Sequence, residues 1–366
     1  MKKAKLFSLG AATLALGLGL TACGSNNDKT ADSGAATGGD VDKAHTVAMV
    51  TDIGGVDDRS FNQSAWEGLQ AWGKEHGAEK GVNGFDYIQS NDGSEYTTNI
   101  DSAVSQGFKT IFGIGYLLQP GIEAAAAQNP DTQFGIIDSV IEGFDNVVSA
   151  TFKDNEAAYL AGIAAAYTTK TDKVGFIGGE EGVVIDRFEA GFAKGVEDGA
   201  KNLGKKIEVT AKYAASFGDP AKGKALAADM YKNGADIIYH ASGGTGAGLF
   251  QEAAALNKDR ASDDKVWVIG VDSDQQAEGV YKNKDGEEDN FTLTSTLKGV
   301  GAAVQDISTR ALNDEFPGGE SLVYGLKDGG VDLTDGFLSD DAKAAVKEAK
   351  QNVIDGKVEV PETPGK

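Results

Sequence analysis

The chain has 366 residues, with 34 lysines and arginines against 56 aspartates and glutamates, and its formal net charge is −22. So acidic a surface repels phosphate backbones, and the composition therefore disfavours nucleic-acid binding. Cys23 is the only cysteine, which excludes both a disulfide framework and a metal site built from several thiolates.

The amino terminus has the pattern of a secretion signal. Three lysines in the first five residues precede an apolar stretch that ends at Leu20 and is too short for a membrane-spanning helix of about 20 residues. The residues 20–23 (Leu-Thr-Ala-Cys) resemble the lipobox of bacterial lipoproteins, in which the cysteine sulfur takes a diacylglycerol. An ordinary signal peptide with a chance cysteine is the plainer alternative. We predict that residues 1–22 are a lipoprotein signal peptide and that Cys23 carries the lipid.

A polar segment follows the cysteine. Residues 24 to about 43 consist largely of Gly, Ser, Asn, Asp, Ala and Lys, with almost nothing to bury. Such a composition is typical of a flexible linker, and 20 residues of random coil span roughly 25 Å. We predict that 23–43 is a tether between a membrane anchor on the extracytoplasmic face and a globular body.

From residue 46 onward, strand-like and helix-like segments alternate. The first series has predicted strands at 46–51, 85–90, 110–114 and 133–137, and predicted helices at 60–76, 97–106 and 120–128. A second series begins near Phe152, with strands at 173–177, 208–213, 237–240 and 266–271 and helices at 156–168, 187–199, 220–233 and 248–256. Apolar strands separated by helices indicate α/β units whose parallel sheets are covered on both faces.

The order changes after Asp272. The remaining predicted elements are a hairpin-like insert at 283–290, strands at 291–294 and 322–326, and helices at 299–312 and 340–354. We predict two doubly wound lobes joined by a hinge with several crossings. Lobe 1 is assigned 46–150 plus about 275–318, and lobe 2 is assigned 151–272 plus about 319–360.

Three aspartates stand at predicted strand ends, where ligands collect in open α/β sheets. Asp52 follows the first strand, Asp138 the fourth, and Asp272 the last strand of the second series. One such residue commonly caps the next helix. Three at one sheet edge favour convergent acceptors for a ligand that is rich in hydroxyl and N–H donors.

Two other features mark the same edges. Phe61 lies in a polar loop, where it could stack on a flat ring or pack as a staple on its own helix. The glycine-rich run 243–248 follows a strand, but its spacing is not that of a dinucleotide loop, so we interpret it as a tight turn that offers backbone N–H groups.

Signals for catalysis are few. The chain has three histidines, His45, His76 and His240, and contains no G-x-S-x-G, H-E-x-x-H or Walker motif. We predict a protein that is not an enzyme, with no catalytic residue, cofactor or metal.

Five segments together resemble the basic membrane protein family, whose best-understood members are purine nucleoside receptor lipoproteins that serve ABC importers. The segments are 52–63 (DIGGVDDRSFNQ), 151–162 (TFKDNEAAYLAG), 243–246 (GGTG), 270–275 (GVDSDQ) and 294–298 (TSTLK). The resemblance implies a type I periplasmic-binding-protein fold that closes on a nucleoside. The expected partners are that ligand, an ABC transporter permease and, through Cys23, the membrane, and we expect a monomer.

The resemblance also implies a set of ligand contacts. These are Asp52, Asn62 and Asp138 for hydrogen bonds to the base, Phe61 and His240 for stacking on it, Gly243 for a backbone contact, and Asp272 and Lys298 for the ribose hydroxyls. At the second stacking position the family usually has Phe or Tyr, whereas this chain has Tyr239-His240. Strand alternation sends these two side chains to opposite faces, so only one can reach the cleft, and we select His240.

Other functions stay open from the sequence. A sugar-binding or signalling receptor would have the same fold, an enzyme acting on nucleosides or NAD would need catalytic groups, and a surface adhesin would need no cleft. The choice between purine and pyrimidine is also open.

Overall fold

The computed structural model describes residues 45–365, so the predicted signal peptide, Cys23 and nearly all of the tether lie outside the described residues. Residues 45–365 belong to one compact unit. No helix in this part of the chain is long and apolar enough to cross a membrane.

The described residues form fourteen strands and nine α-helices. The strands are β1 (Val47–Thr51), β2 (Phe85–Ile88), β3 (Thr110–Ile114), β4 (Gln133–Ile137), β5 (Val147–Phe152), β6 (Lys173–Gly178), β7 (Glu208–Tyr213), β8 (Ile237–Ala241), β9 (Trp267–Gly270), β10 (Val280–Lys282), β11 (Glu288–Asn290), β12 (Thr292–Lys298), β13 (Ser321–Tyr324) and β14 (Val331–Leu333). The helices are α1 (Phe61–His76), α2 (Tyr96–Ser105), α3 (Gln119–Gln128), α4 (Asp154–Thr168), α5 (Val183–Asn202), α6 (Pro220–Lys232), α7 (Gly246–Asn257), α8 (Val300–Leu312) and α9 (Asp340–Ile354).

Two six-stranded sheets organise these elements. The first has the order β13-β5-β4-β3-β1-β2 and is parallel throughout, and we call the part of the chain built on it lobe 1. The second has the order β14-β12-β9-β8-β6-β7 and is parallel except at β14; it forms lobe 2. The predicted α/β class with parallel sheets is confirmed.

Apolar strands are needed because helices cover both faces of each sheet. All five residues of β1 are buried. Val47 and Met49 belong to the same core as Leu69 of α1, whereas Ala48 and Val50 belong to a second core on the other face of the sheet. Such two-sided burial explains why the strand is a continuous apolar run without polar alternation.

The chain passes between the two sheets three times, which agrees with the prediction of several crossings. The first crossing joins β5 to α4, the second joins β12 to α8, and the third joins β13 to β14. After the second crossing α8 packs on α1 of lobe 1 so closely that a Cβ added at Gly68 would overlap the carbonyl oxygen of Gly301. All three crossings together form the hinge.

The assignment of two segments to lobes is corrected by the strand pairing. The segment 275–318 was expected in lobe 1, but β12 pairs with β9 of lobe 2, and only α8 packs on lobe 1. The segment 319–360 was expected in lobe 2, where β14 does pair with β12, but β13 pairs with β5 of lobe 1. β13 forms the edge of the first sheet, and β12 lies between β9 and β14 in the second. Local sequence carries no information about which sheet a short apolar run will join.

Two strands are absent from the sequence-based prediction. The run Val147–Phe152 forms β5, with all six residues buried, and Val331–Leu333 forms the short edge strand β14. The strand β5 lies directly before the first crossing, so a single run of sequence belongs to the first sheet and leads into the hinge.

Candidate functional site

A cavity of about 500 Å³, a volume that includes its mouth, lies between the carboxyl ends of the two sheets. Lobe 1 contributes Asp52, Gly54, Asp58, Phe61, Asn62, Gly115, Tyr116 and Asp138 to its lining, and lobe 2 contributes Val184, Ile185, Phe188, Phe217, Ala241, Ser242, Gly243, Val271, Asp272 and Lys298. The cavity thus brings together every predicted site residue except His240.

Asn62 and two aspartates form one corner of the cavity. The Asn62 side-chain nitrogen donates to Asp52 Oδ1 over 2.7 Å and to Asp58 Oδ2 over 2.9 Å. Asp58 is held in turn because it accepts from the backbone N–H groups of Ser60, Asn62 and Gln63 at the start of α1. The amide orientation of Asn62 is therefore fixed, and its Oδ1 atom has no hydrogen-bond partner within 45–365.

Asp52 is an unusual carboxyl group because it titrates near neutral pH. Burial raises its pKa to about 7, and the hydrogen bonds from Gly54 and Asn62 oppose this effect only in part. Both the carboxylate and the carboxylic acid are therefore accessible near neutral pH. It can accept a hydrogen bond in one form and donate one in the other.

Lys298 lies at the centre of the other half of the site. Its ammonium nitrogen is 2.6 Å from Asp138 Oδ2, to which it donates a hydrogen bond, and 3.0 Å from Asp154 Oδ1, with which it forms an ion pair. The side chains of Lys298 and Asp154 are 3 % and 1 % exposed. Burial lowers the pKa of Lys298, but the field of Asp138, Asp154 and Asp272 outweighs burial and the pKa is raised. The group is therefore a permanent cation.

Asp138 and Asp272 occupy equivalent places in the two lobes, one after β4 and the other after β9. Both have left-handed backbone conformations, with φ of 67° and 66°. Such angles cost conformational energy for residues other than glycine, although aspartate adopts them more readily than most, and they cluster at functional sites. Asp138 Oδ1 has no hydrogen-bond partner among residues 45–365, and Asp272 accepts from Ser60 of the opposite lobe.

The charged side chains of Asp272 and Lys298 do not form an ion pair with each other. The Lys298 backbone N–H donates to the Asp272 carbonyl oxygen over 2.8 Å, but the ammonium group contacts Asp138 and Asp154. Burial raises the pKa of the Asp272 carboxyl to about 6, and the charge of Lys298 limits this rise. Both side chains nevertheless line the same cavity.

Three phenylalanines supply the apolar surface. Phe61 comes from lobe 1, at the first residue of α1, and Phe188 and Phe217 come from lobe 2. The Lys298 nitrogen lies 5.2 Å from the ring centre of Phe61 and 5.5 Å from that of Phe188, within the range of cation–π attraction. The lobe 2 rings were missed by sequence reasoning, although Phe217 stands in a polar loop, as Phe61 was expected to.

The selection of His240 as a cavity residue is wrong. His240 is fully buried against Phe250, whereas Tyr239 is buried on the opposite face and contacts Thr296 through its hydroxyl group. The predicted alternation is therefore confirmed, but neither side chain reaches the cavity. The reason is that β8 is an interior strand whose two faces are both covered, so its side chains enter the cores and only Ala241, at its end, lines the site.

The cavity can bind a neutral, flat and hydroxylated molecule. Four aspartates and one lysine provide its charged lining, and the partnerless buried polar atoms of the lining are Asn62 Oδ1, Asp138 Oδ1 and Tyr116 Oη. Buried polar groups rarely remain without a partner, and these three share one cavity. The excess of carboxyl groups repels phosphate, and Lys298 is already held by two of them.

Replacing Asp52 with Asn tests the electrostatics of the cavity. Because the folded-state pKa of Asp52 lies above its unfolded value, ionisation destabilises the ligand-free fold as the pH rises from about 4 to about 7. Relative to the parent, Asp52→Asn should therefore gain stability between about pH 4.5 and about pH 8, by on the order of 2–4 kcal/mol. Urea unfolding at both pH values measures this gain. The exposed neighbour variant Asp57→Asn should show no such gain, and an equal offset for Asp52→Asn at both pH values would contradict the assignment.

Comparison with known proteins agrees with the fold. Residues 45–363 match the family described as "ABC transporter substrate-binding protein PnrA-like". The chain is 54 % identical over 325 residues to the ABC transporter nucleoside-binding protein BmpA of Lactococcus lactis, an alignment that covers 89 % of this chain and 91 % of that protein. It is 49 % identical to the CD4+ T-cell-stimulating antigen of Listeria monocytogenes, with 96 % of each covered.

Among solved structures, an ABC transporter solute-binding protein from Aeropyrum pernix K1 superposes with a TM-score of 0.74 at 26 % identity, covering 88 % of this chain and 94 % of that one. The chain belongs to the PnrA-like family of ABC transporter substrate-binding proteins. The predicted periplasmic-binding-protein fold and the predicted family are confirmed, and the family consists of solute-binding proteins and not of enzymes.

Proposed function

We propose that this substrate-binding protein captures nucleosides, purine nucleosides in particular, outside the cytoplasm and delivers them as a monomer to an ABC importer. The observation that carries the proposal is the division of the cavity into two chemically different halves. The corner of Asp52, Asp58 and Asn62 forms one half, the charged groups Lys298, Asp138 and Asp272 form the other, and the rings of Phe61 and Phe188 lie beside the lysine.

The corner around Asn62 suits a purine base. Asn62 Oδ1 is available as an acceptor, and Asp52 accepts N–H groups when it is ionised. Phe61 on one lobe and Phe188 or Phe217 on the other can enclose a planar ring once the lobes close, and aromatic contacts of this kind add about 0.5–1.5 kcal/mol each beyond buried area.

The half around Lys298 suits a ribose. The ammonium group can donate to a hydroxyl oxygen, while Asp272 and Asp138 Oδ1 can accept from hydroxyl groups. Hydrogen bonds with one charged partner are roughly twice as strong as neutral ones, which favours a ligand with adjacent hydroxyls. A phosphate in the same place would meet several carboxylates, so we expect nucleotides to be rejected.

The name of the Lactococcus lactis relative, a nucleoside-binding protein, supports the same ligand class. Its identity of 54 % over most of both chains makes a similar cavity reasonable. A sugar receptor would use the hydroxyl-binding half alone and would leave the corner around Asn62 without a partner.

Calorimetric titration tests the proposed ligand. Guanosine, inosine or adenosine should bind with no change in the nucleoside, and guanosine monophosphate should bind far more weakly. Asp272→Ala should weaken guanosine binding by about tenfold to several hundredfold, because it removes a charged acceptor for the ribose hydroxyls and leaves Ser60 without its partner, while binding of free guanine should hardly change.

Asp57→Ala, an exposed carboxylate in the same loop as Asp58, is the matched control and should bind like the parent. Three outcomes would refute the proposal. They are a flat titration with every nucleoside, a preference for a simple sugar, and release of free base during the incubation.

We further propose that Cys23 is lipid-modified after removal of residues 1–22 and holds the protein at the outer face of the cell membrane. The support is the sequence of residues 20–23 and the single cysteine. In cells fed labelled palmitate, the parent should carry the label and the Cys23→Ala variant should not. Label that persists in Cys23→Ala would contradict lipidation at this residue.

A further inference from the structure

Two segments from opposite lobes meet at the rim of the cavity. The segment of lobe 1 is the loop that ends with Arg59 and Ser60, and the segment of lobe 2 follows β9. The Arg59 carbonyl oxygen accepts hydrogen bonds from Ser273 Oγ over 3.1 Å and from Gln275 Nε2 over 3.0 Å. The Arg59 guanidinium also forms an ion pair with Glu278. These contacts join the lobes in a closed arrangement.

The contacts differ in strength because they differ in burial. The side chains of Arg59 and Glu278 are 63 % and 24 % exposed, and an ion pair as open as this one is screened by water. Gln275, by contrast, is 5 % exposed, and its amide spans the gap between the lobes without lining the cavity. Because its donor is buried in this way, the partly buried hydrogen bond from Gln275 is the best candidate for holding the rim closed.

The orientation of the Gln275 amide is fixed by two neighbours within lobe 2. Its Oε1 atom accepts from the Val271 N–H over 3.0 Å and lies 3.0 Å from His240 Nε2. Burial lowers the pKa of His240 to about 4, so its ring is neutral at pH 7 and has one donor and one acceptor nitrogen. Nε2–H therefore donates to Gln275, and Nδ1 accepts from Ser242 Oγ over 3.2 Å. With Oε1 occupied twice, the amide must direct its N–H toward Arg59.

We propose that Gln275, oriented by His240 and Val271, is a positioning residue that latches the two lobes together around the ligand. A series of hydrogen bonds links Ser242, His240, Gln275 and Arg59 in that order. It begins at a side chain that lines the cavity and ends across the lobe boundary. A ligand that contacts Ser242 is thereby connected to the closure of the rim through these hydrogen bonds. This role also gives His240 a function that does not require contact with the ligand.

The isosteric variant Gln275→Glu separates a latch from a merely structural role. A glutamate can still accept from His240 and Val271, but it places an oxygen where Nε2 donated to the Arg59 carbonyl. Gln275→Leu removes all of these bonds. The control is Gln276→Ala, since the neighbouring Gln276 side chain makes no hydrogen bond within 45–365 and its backbone contacts are unaffected.

Disulfide trapping measures closure without any ligand. A Cβ added at Gly218 of lobe 2 would lie 3.8 Å from Cγ1 of Ile53 of lobe 1, so cysteines at 53 and 218 meet only when the lobes are closed. In the full chain with Cys23→Ser, we expect Gln275→Glu and Gln275→Leu to slow oxidation of this pair by about tenfold, and Gln276→Ala to stay within about twofold. Thermal melting of each reduced variant confirms that it is folded. If the leucine variant is unfolded, the oxidation rate of Gln275→Glu alone tests the latch.

Stopped-flow binding of guanosine provides the second readout and rests on the proposed function. Loss of the latch should raise the dissociation rate by about tenfold while the association rate changes by less than about threefold, because the latch forms after the ligand has docked. Trapping of Gln275→Glu at the parental rate would overturn the latch. If the parent fails to bind guanosine, the proposed ligand is wrong, and the trapping rates still test the latch.

Discussion

A lysine ammonium group buried among carboxylates at the junction of the lobes is the constraint on which the site depends. Lys298 ends β12 at the second crossing, Asp154 begins α4 at the first, and Asp138 follows β4 of lobe 1. Removing one partner from a buried ion pair typically destabilises a protein by about 3–5 kcal/mol, because the other charge is left without compensation. The three groups must therefore stay together, and their attraction fixes where the crossings lie relative to lobe 1. The other residues of the cavity wall are arranged around these three groups.

The same arrangement determines what the cavity can accept. With its charge already divided between two carboxylates, Lys298 can donate to a hydroxyl group but cannot neutralise a phosphate, and Asp272 and Asp58 add negative charge nearby. Burial keeps Asp52 close to its titration point, so a ligand N–H group can select the ionised form. Strained backbone at Asp138 and Asp272 aims both carboxylates at one space from opposite lobes. Closure then depends on contacts at the rim, where Gln275 reaches the Arg59 carbonyl.

Sequence reasoning predicted the parts of this protein that local patterns encode. Strands such as Thr110–Ile114 and helices such as Asp340–Ile354 follow from apolar periodicity, and the strand-end aspartates follow from the rule that ligands bind beyond the carboxyl ends of parallel strands. The predictions that failed concern features that depend on residues far apart in the sequence. Nothing near β12 or β13 shows which sheet the strand will join, Phe188 lies in an amphipathic helix like any core residue, and the burial of His240 depends on α7 covering β8. Pairing across the hinge, as between Lys298 and Asp154, is likewise invisible until the fold is known.

Native mass spectrometry of the protein mixed with equal concentrations of guanosine, guanosine monophosphate and ribose tests the central claim most directly. The account predicts one bound guanosine per chain and little of either competitor, because only the nucleoside can satisfy both halves of the cavity without bringing a phosphate among its carboxylates. A complex that contains the nucleotide or ribose in place of guanosine, or a chain that remains unoccupied in the mixture, would contradict it.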